Sequence, residues 1–227
     1  MTQGSPANPA LPVVLNDAFP HSHADSRKTL ARAAGVRTFD PGEVIVRQGD
    51  ESSMALILGG HVAFRRTTVH GRQLILRVAT RGALAVILPL STRPAGGDAV
   101  ALTPSLAARW RGEEVRSLAA ADPGLAIDLI DHTLATFEEV VACFDGLLYH
   151  DAQGRVARVL HLHADLFFSD QPVLTRAHLP ILVGTSREMT GRVLRALEAR
   201  RLVSRVGRDR LRLLDAAGLA EAAEPQR

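Results

Sequence analysis

Short apolar runs separated by glycine-bearing breaks fill the stretch from Phe39 to Trp110. Val44-Ile45-Val46, Ala55 to Leu58, His61 to Phe64 and Leu74 to Val78 have the length and content of strands. Pro41-Gly42, Gly49-Asp50, Gly59-Gly60 and His70-Gly71 supply the turns between them. Several short strands at near-regular spacing predict a small β-barrel or roll. Ahead of it, Ala24 to Ala34 reads as a short helix stopped by Gly35. The chain up to Pro20, with Pro6, Pro9 and Pro12, reads as an irregular lead-in.

The period then changes. Ile127, Ile130, Leu134, Phe137, Val141, Phe144 and Leu148 recur at alternating spacings of 3 and 4, the seam of a coiled coil. Asp122-Pro123 offers a cap and a proline for the first helical position. Ala126, Leu129, Val140 and Leu147 form a second apolar stripe, so this helix is expected to bury two faces. One face would cover the β domain and the other would meet the same helix of a second copy.

A third region follows Tyr149. Asp151 to Phe168 reads as a helix with Val156, Val159, Leu160 and Leu166 inward. Thr175 to Val183, a turn at Gly184-Thr185 and a helix from Ser186 to about Arg200 come next. Val203 to Val206 and Leu211 to Leu214 read as a hairpin around Gly207-Arg208-Asp209. The expected divisions are an irregular segment 1–24, a β-roll 25–121, a dimer helix 122–149 and a C-terminal domain 150–227.

Composition narrows the function. The chain has 227 residues with a net charge of +3, but the charge is uneven. Residues 1–149 carry 14 basic and 15 acidic side chains, and residues 176–212 carry 10 basic against 3 acidic. Every basic residue except Lys28 is an arginine. A near-neutral body with a basic C-terminal end is the balance of a protein whose tail meets nucleic acid. The longest uninterrupted apolar run, Ala83 to Leu88, is too short to span a bilayer. The N-terminus lacks the basic region of a signal peptide, so a cytoplasmic protein without membrane contact is expected. A lone Cys143 excludes an internal disulfide and a four-cysteine metal or iron–sulfur site within one chain. Neither a Ser/His/Asp arrangement, a phosphate-binding Walker loop nor a metal triad is evident, so no enzyme is expected.

The stretch Thr175 to Glu198 has the order of a helix-turn-helix. Gly184 suits the tight turn, and Ser186 can cap the second helix and reach a phosphate. Val193, Leu194 and Leu197 face inward, leaving Arg187, Glu188, Gly191, Arg192 and Arg195 outward. Arginine forks onto guanine, and a carboxylate accepts from cytosine. Glu188 among arginines makes sense as a base reader, since an acid near phosphates costs affinity unless it specifies. Thr175 and Arg176 at the first helix, Thr190 on the second and Arg208 at the hairpin tip complete the expected DNA-binding set.

With these residues in view, the chain resembles regulators of the cyclic-AMP receptor/fumarate–nitrate regulator (Crp/Fnr) family. Phe39-x-Pro41-Gly42-Glu43-Val44-Ile45-x-x-Gln48-Gly49-Asp50, then Ile57-Leu58-x-Gly60-x-Val62, is similar to the start of its cyclic-nucleotide-binding β-roll. The Asp122-Pro123 helix resembles its dimerisation helix, and Gly184-x-Ser186-Arg187-Glu188-x-x-x-Arg192-x-Leu194 its recognition motif. The resemblance implies an α+β chain: a β-roll, a long coiled-coil dimerisation helix and a winged helix-turn-helix. It implies a homodimeric transcription regulator reading a TGTGA-like palindrome through Arg187, Glu188 and Arg192. Its implied partners are double-stranded DNA, a second copy and RNA polymerase. Met189 stands where the family usually has a phosphate-contacting hydroxyl, with Thr190 adjacent, and Pro180 falls near the start of the first helix.

The sensor end departs from the family. Its cyclic-nucleotide pocket uses a Phe-Gly-Glu segment followed by an arginine, and Ala85 to Val100 here has no glutamate. The aligned arginine position falls on Ala95 to Gly97. Leu88 and Arg93 are the nearest effector-binding candidates, and Asp98 would repel a phosphate. Cyclic AMP is therefore not expected to bind in the family mode. A haem or other small-molecule sensor of the same architecture is the alternative, although His21, His23, His61 and His70 read more simply as exposed or hydrogen-bonded. A ligand-binding module with an incidental basic tail is the competing class.

Overall fold

The computed structural model describes residues 9–85 and 91–224. Contacts divide the chain into two units, 1–71 with 76–139, and 72–75 with 140–227.

The first unit opens with helix α1 (Ala10–Ala18), which corrects the expectation of an irregular lead-in. Pro9 precedes the first helical residue and Pro12 falls in the first turn, where no intrahelical N–H bond is lost. Leu11, Val14, Leu15 and Ala18 then share one buried face with Phe19. Helix α2 (Ala24–Ala33) follows as expected.

Among the described residues seven strands come next: β1 (Gly35–Phe39), β2 (Val44–Val46), β3 (Ser53–Gly59), β4 (Val62–Thr67), β5 (Gln73–Ala79), β6 (Asp98–Ala101) and β7 (Ser105–Arg111). They form a three-stranded sheet ordered β1-β7-β3 and a four-stranded sheet ordered β2-β6-β4-β5. Gly42, Gly49, Gly60 and Gly71 all take positive φ at the turns expected from sequence. Strand β3 is buried on both sides, because its alternate side chains feed two cores. Met54, Leu56 and Leu58 join α1, α2, Trp110 and Leu129 in one cluster, while Ala55 and Ile57 face Phe39, Ile45 and Val62 inside the roll. The Trp110 indole N–H donates to the Leu30 carbonyl at 2.8 Å, which satisfies its polar end within the core.

After α3 (Gly112–Ala121), the long helix α4 (Pro123–Tyr149) begins at the predicted cap. Asp122 accepts from the Gly124 and Leu125 N–H groups at 3.0 and 3.3 Å, and from the His23 N–H at 2.8 Å. Burial raises the Asp122 carboxyl pKa, but the Ser26, His23 and Leu125 hydrogen bonds outweigh it and hold it below the ordinary value. Asp128, six residues on, accepts from the His21 and Ser22 N–H groups at 3.1 and 2.9 Å and from His21 Nδ1 at 2.7 Å. This buried carboxylate fastens the α1–α2 connection to α4. Asp128→Ala strands two backbone donors, so it is expected to lower stability by about 3 kcal/mol. Chemical denaturation checks this, and a loss under about 0.5 kcal/mol, the ordinary surface-substitution range, would contradict it.

The stripe predicted for α4 separates as expected. Leu125 and Leu129 are fully buried and Ala126, Val140 and Leu147 half-buried, whereas Ile127, Ile130, Leu134, Phe137, Val141, Phe144 and Leu148 are all exposed. Among the described residues, no helix is long and apolar enough to cross a membrane.

Candidate nucleic-acid interface

In the second unit, Asp151 caps α5 (Ala152–Leu162) by accepting from the Gly154 N–H at 2.7 Å. The expected single helix to Phe168 is broken at His163 (φ −114°, ψ 33°), and α6 (Ala164–Phe168) restarts there. A 3-10 turn at Arg176–His178 leads into α7 (Leu179–Val183), Gly184 and α8 (Arg187–Ala199). The hairpin β8 (Val203–Val206) and β9 (Arg210–Leu213) follows, then α9 (Ala216–Ala222).

Each local device has its own cause. Gly184 takes φ +62°, a conformation that strains any side chain, and an added Cβ would stand 3.2 Å from the Leu147 side chain, which would have to shift slightly. Ser186 accepts from the Met189 N–H at 3.1 Å and starts α8. Pro180 lies in the first turn of α7, where it costs no hydrogen bond. Val193, Leu194 and Leu197 are buried, which turns Arg187, Glu188, Arg192 and Arg195 outward and leaves Gly191 half-exposed between them. Glu188 and Arg192 meet at 3.1 Å with both side chains mostly in solvent, a pair that DNA can open at small cost.

Thr190 departs from expectation. It is 2% exposed, and its hydroxyl donates to the Ser186 carbonyl at 2.9 Å. It therefore does not stand in for the hydroxyl that Met189 lacks. Thr175 is half-buried: its N–H donates to His178 Nδ1 at 3.0 Å, and its hydroxyl lies 3.2 Å from the same nitrogen. Burial keeps the His178 ring below its ordinary pKa, so this nitrogen accepts at neutral pH. Arg176 donates its N–H to the Asp209 carbonyl at 2.9 Å, which ties the hairpin to the helix-turn-helix. Arg208 is exposed at the hairpin tip, beside Gly207 at φ +60°.

Arg205 is a member of this face that the sequence did not point to. With Arg176, Arg187 and Arg195 it borders an open cleft of about 410 Å³ whose floor includes Pro180, Thr190 and Leu194. Glu198 holds it in place, accepting from its backbone N–H at 2.8 Å and its Nε at 2.9 Å and pairing with its Nη2 at 2.8 Å. Burial raises the Glu198 carboxyl pKa, but those Arg205 contacts win and hold it low. The anchor is therefore present at neutral pH and fades as pH falls through that lowered value. The two residues are seven apart, and the chain reverses at Arg201 (φ 57°), so no helical or strand period links them.

The geometry is a winged helix-turn-helix with one arginine-rich helix face presented to solvent. Residues 36–122 match the cyclic nucleotide-binding domain, and residues 154–222 match the Crp-like helix-turn-helix domain. The chain belongs to the Crp/Fnr family of transcription regulators. This Crp/Fnr regulator is similar in fold to the c-di-GMP-responsive global regulator CLP of Xanthomonas campestris, at 21% identity over 85% of this chain and 100% of that one, with a TM-score of 0.73. FixK2 of Bradyrhizobium japonicum matches at 18% identity over 86% and 99%, with a TM-score of 0.70. TTHB099, a CRP-family transcriptional regulator of Thermus thermophilus, matches at 22% identity over 82% and 96%, with a TM-score of 0.70. No curated protein matches the chain.

At the sensor end of this Crp/Fnr regulator, Arg93 lies exposed in a loop and its N–H donates to Ser91 Oγ at 3.0 Å. Leu88 lies outside the described residues. Asp98 pairs with Arg65 at 2.9 Å and accepts from the Gln48 N–H at 2.9 Å. Burial raises its pKa, but these two partners prevail and keep it ionised at neutral pH. His21 and His23 face Asp128 and Asp122 at 2.7 and 3.5 Å.

Proposed function

We propose that two copies of this regulator pair along the exposed seam of α4, and that α8 of each reads a TGTGA-like half-site in a two-fold-symmetric DNA sequence. Arg187, Glu188 and Arg192 meet base edges. Ser186, Thr175, Arg176, Arg195, Arg205 and Arg208 hold phosphates around them. The observation that carries this reading is the division of α8 into a buried apolar side and an exposed side bearing Arg187, Glu188, Arg192 and Arg195. A glutamate on an otherwise cationic face repels phosphates, so its place there favours base reading over nonspecific adhesion.

The fixed negative charge of Asp98 and the loop position of Arg93 support control without cyclic AMP in the family's phosphate mode. RNA polymerase is the further partner proposed for this role. Sedimentation of the protein with duplexes carrying two inverted half-sites, about one helical turn apart, tests the assembly. Two chains per duplex are expected, and one chain per duplex at all concentrations would refute it.

A further inference from the structure

The turn that opens the helix-turn-helix is closed by a histidine. Thr175, Arg176, Ala177 and His178 form a capping box, a four-residue device whose last position is ordinarily glutamate or glutamine. Here the acceptor at that position is an imidazole nitrogen. The Thr175 N–H donates to His178 Nδ1 at 3.0 Å, the Thr175 hydroxyl lies 3.2 Å from it, and the His178 N–H returns to the Thr175 carbonyl at 2.9 Å. The N–H at the head of the turn is thereby satisfied by a group that loses its lone pair on protonation. A glutamate in this place would accept down to about pH 4, whereas an imidazole stops accepting about two units higher.

The cap holds part of the surface assigned to DNA. Thr175 carries it, and Arg176, next in the chain, borders the cleft with Arg187, Arg195 and Arg205. The Arg176 N–H is bonded to the Asp209 carbonyl at 2.9 Å, so the capped turn also seats the hairpin. The charged groups around the ring are Arg176 on the turn, Asp209 on the hairpin, and the three arginines across the cleft. Helix α7, which continues from the turn, carries no ionisable side chain. Burial lowers the His178 pKa, and among the described residues no carboxylate offsets it. Protonation therefore sets a ring N–H against the Thr175 N–H in a half-buried place, with no anion to hold the charge. The ring then leaves the cap.

We propose that His178 is a positioning residue for DNA binding and makes it pH-sensitive: the neutral ring holds Thr175 and Arg176 against phosphates, and the protonated ring releases them. This rests on the reading of α8 and its surroundings as the DNA-binding face. The sign follows from where the proton is taken up. A free ring takes it near 6.5 and the capped ring only below that value, so the cap is complete at neutral pH and is lost as the pH falls through the lowered value. Glu198, the other titrating anchor of this face, is held below the ordinary carboxylate value and stays ionised over that range.

The test follows the full chain between about pH 7.5 and 5.5, on either side of the histidine range. Without DNA, ¹⁵N spectra record the His178 ring and the Thr175 amide. The two are expected to titrate together, and the Thr175 amide is expected to stay still in His178→Gln, which keeps an acceptor in place but takes up no proton. An amide that ignores the ring's protonation would overturn the cap, whatever α8 binds. Fluorescence anisotropy on a duplex of two TGTGA-like half-sites then gives the affinity at each pH. The native chain and His178→Gln are expected to bind alike at the upper pH. At the lower one the native chain should be about tenfold the weaker, a factor of about three for each of two turns. The subtraction removes the other histidines, which both proteins share. Parallel profiles, or a native affinity that gains on the variant as pH falls, would refute the positioning role. Absence of duplex binding by both proteins at every pH would remove the DNA reading and this role with it, even where the amide titrates.

Discussion

Leu134→Glu with Phe137→Glu is expected to leave the chain folded but monomeric, with affinity for a duplex of two half-sites lowered about a thousandfold. The two side chains are 54% and 62% exposed, so neither contributes to the core of its own chain. Helical content and unfolding midpoint should therefore stay near those of the native protein. Against a two-fold-related copy of α4, the same positions face their own counterparts. Each buried leucine or phenylalanine there contributes about 1.5–3 kcal/mol, and seven seam positions per chain repeat it over a helix about 40 Å long. Glutamates would instead bring like charges together in a desolvated seam. The loss on DNA follows from linkage. A dimer that has placed one α8 holds the other at high effective concentration over its half-site, and a monomer must bind each half-site anew. Sedimentation and fluorescence anisotropy check both halves. A variant that remains dimeric would remove α4 from the interface.

The second large effect falls on the readers. Arg187→Ala and Arg192→Ala are each expected to cost about 1–3 kcal/mol per half-site, hence about 2–6 kcal/mol for a dimer on its palindrome. The mechanism is the loss of a fork of two donors onto guanine, which leaves the base edge unpaired. Arg192 is paired with Glu188 in the free protein, but both lie in solvent, so breaking that pair offsets little of the loss. Glu188→Ala should behave differently, costing less affinity and relaxing choice at the cytosine it faces. Arg208→Ala should weaken all sequences alike and lower the salt dependence by about one counterion per half-site. Binding titrations on cognate and scrambled duplexes at several salt concentrations separate the two kinds of arginine. Equal losses on both duplexes for Arg187→Ala would move that residue to the phosphates.

What was legible in the sequence was what local periods carry. The α4 seam, the Gly184 turn with the Ser186 cap, and the inward Val193, Leu194 and Leu197 are all written within single helical turns. The roll was readable where glycines at positive φ bracket β-branched runs. Strand β7 was not, because Ala107 and Ala108 have weak strand propensity and pack there only because both cores need small side chains between them. Helix α1 was obscured by prolines that sit harmlessly before it and in its first turn. Thr190 was misplaced because its hydroxyl can bond back to the preceding turn, which removes it from the outer face. Arg205 depends on a partner brought by tertiary structure, Glu198 across a chain reversal.

If α8 of a two-fold dimer reads a specific sequence, the protein must select that sequence from a genome. Selection of genomic fragments by the purified, ligand-free protein, repeated with added cell extract, tests it most directly. A two-fold-symmetric motif with TGTGA-like halves about one helical turn apart is expected. Fragments sharing no motif in either selection would contradict it.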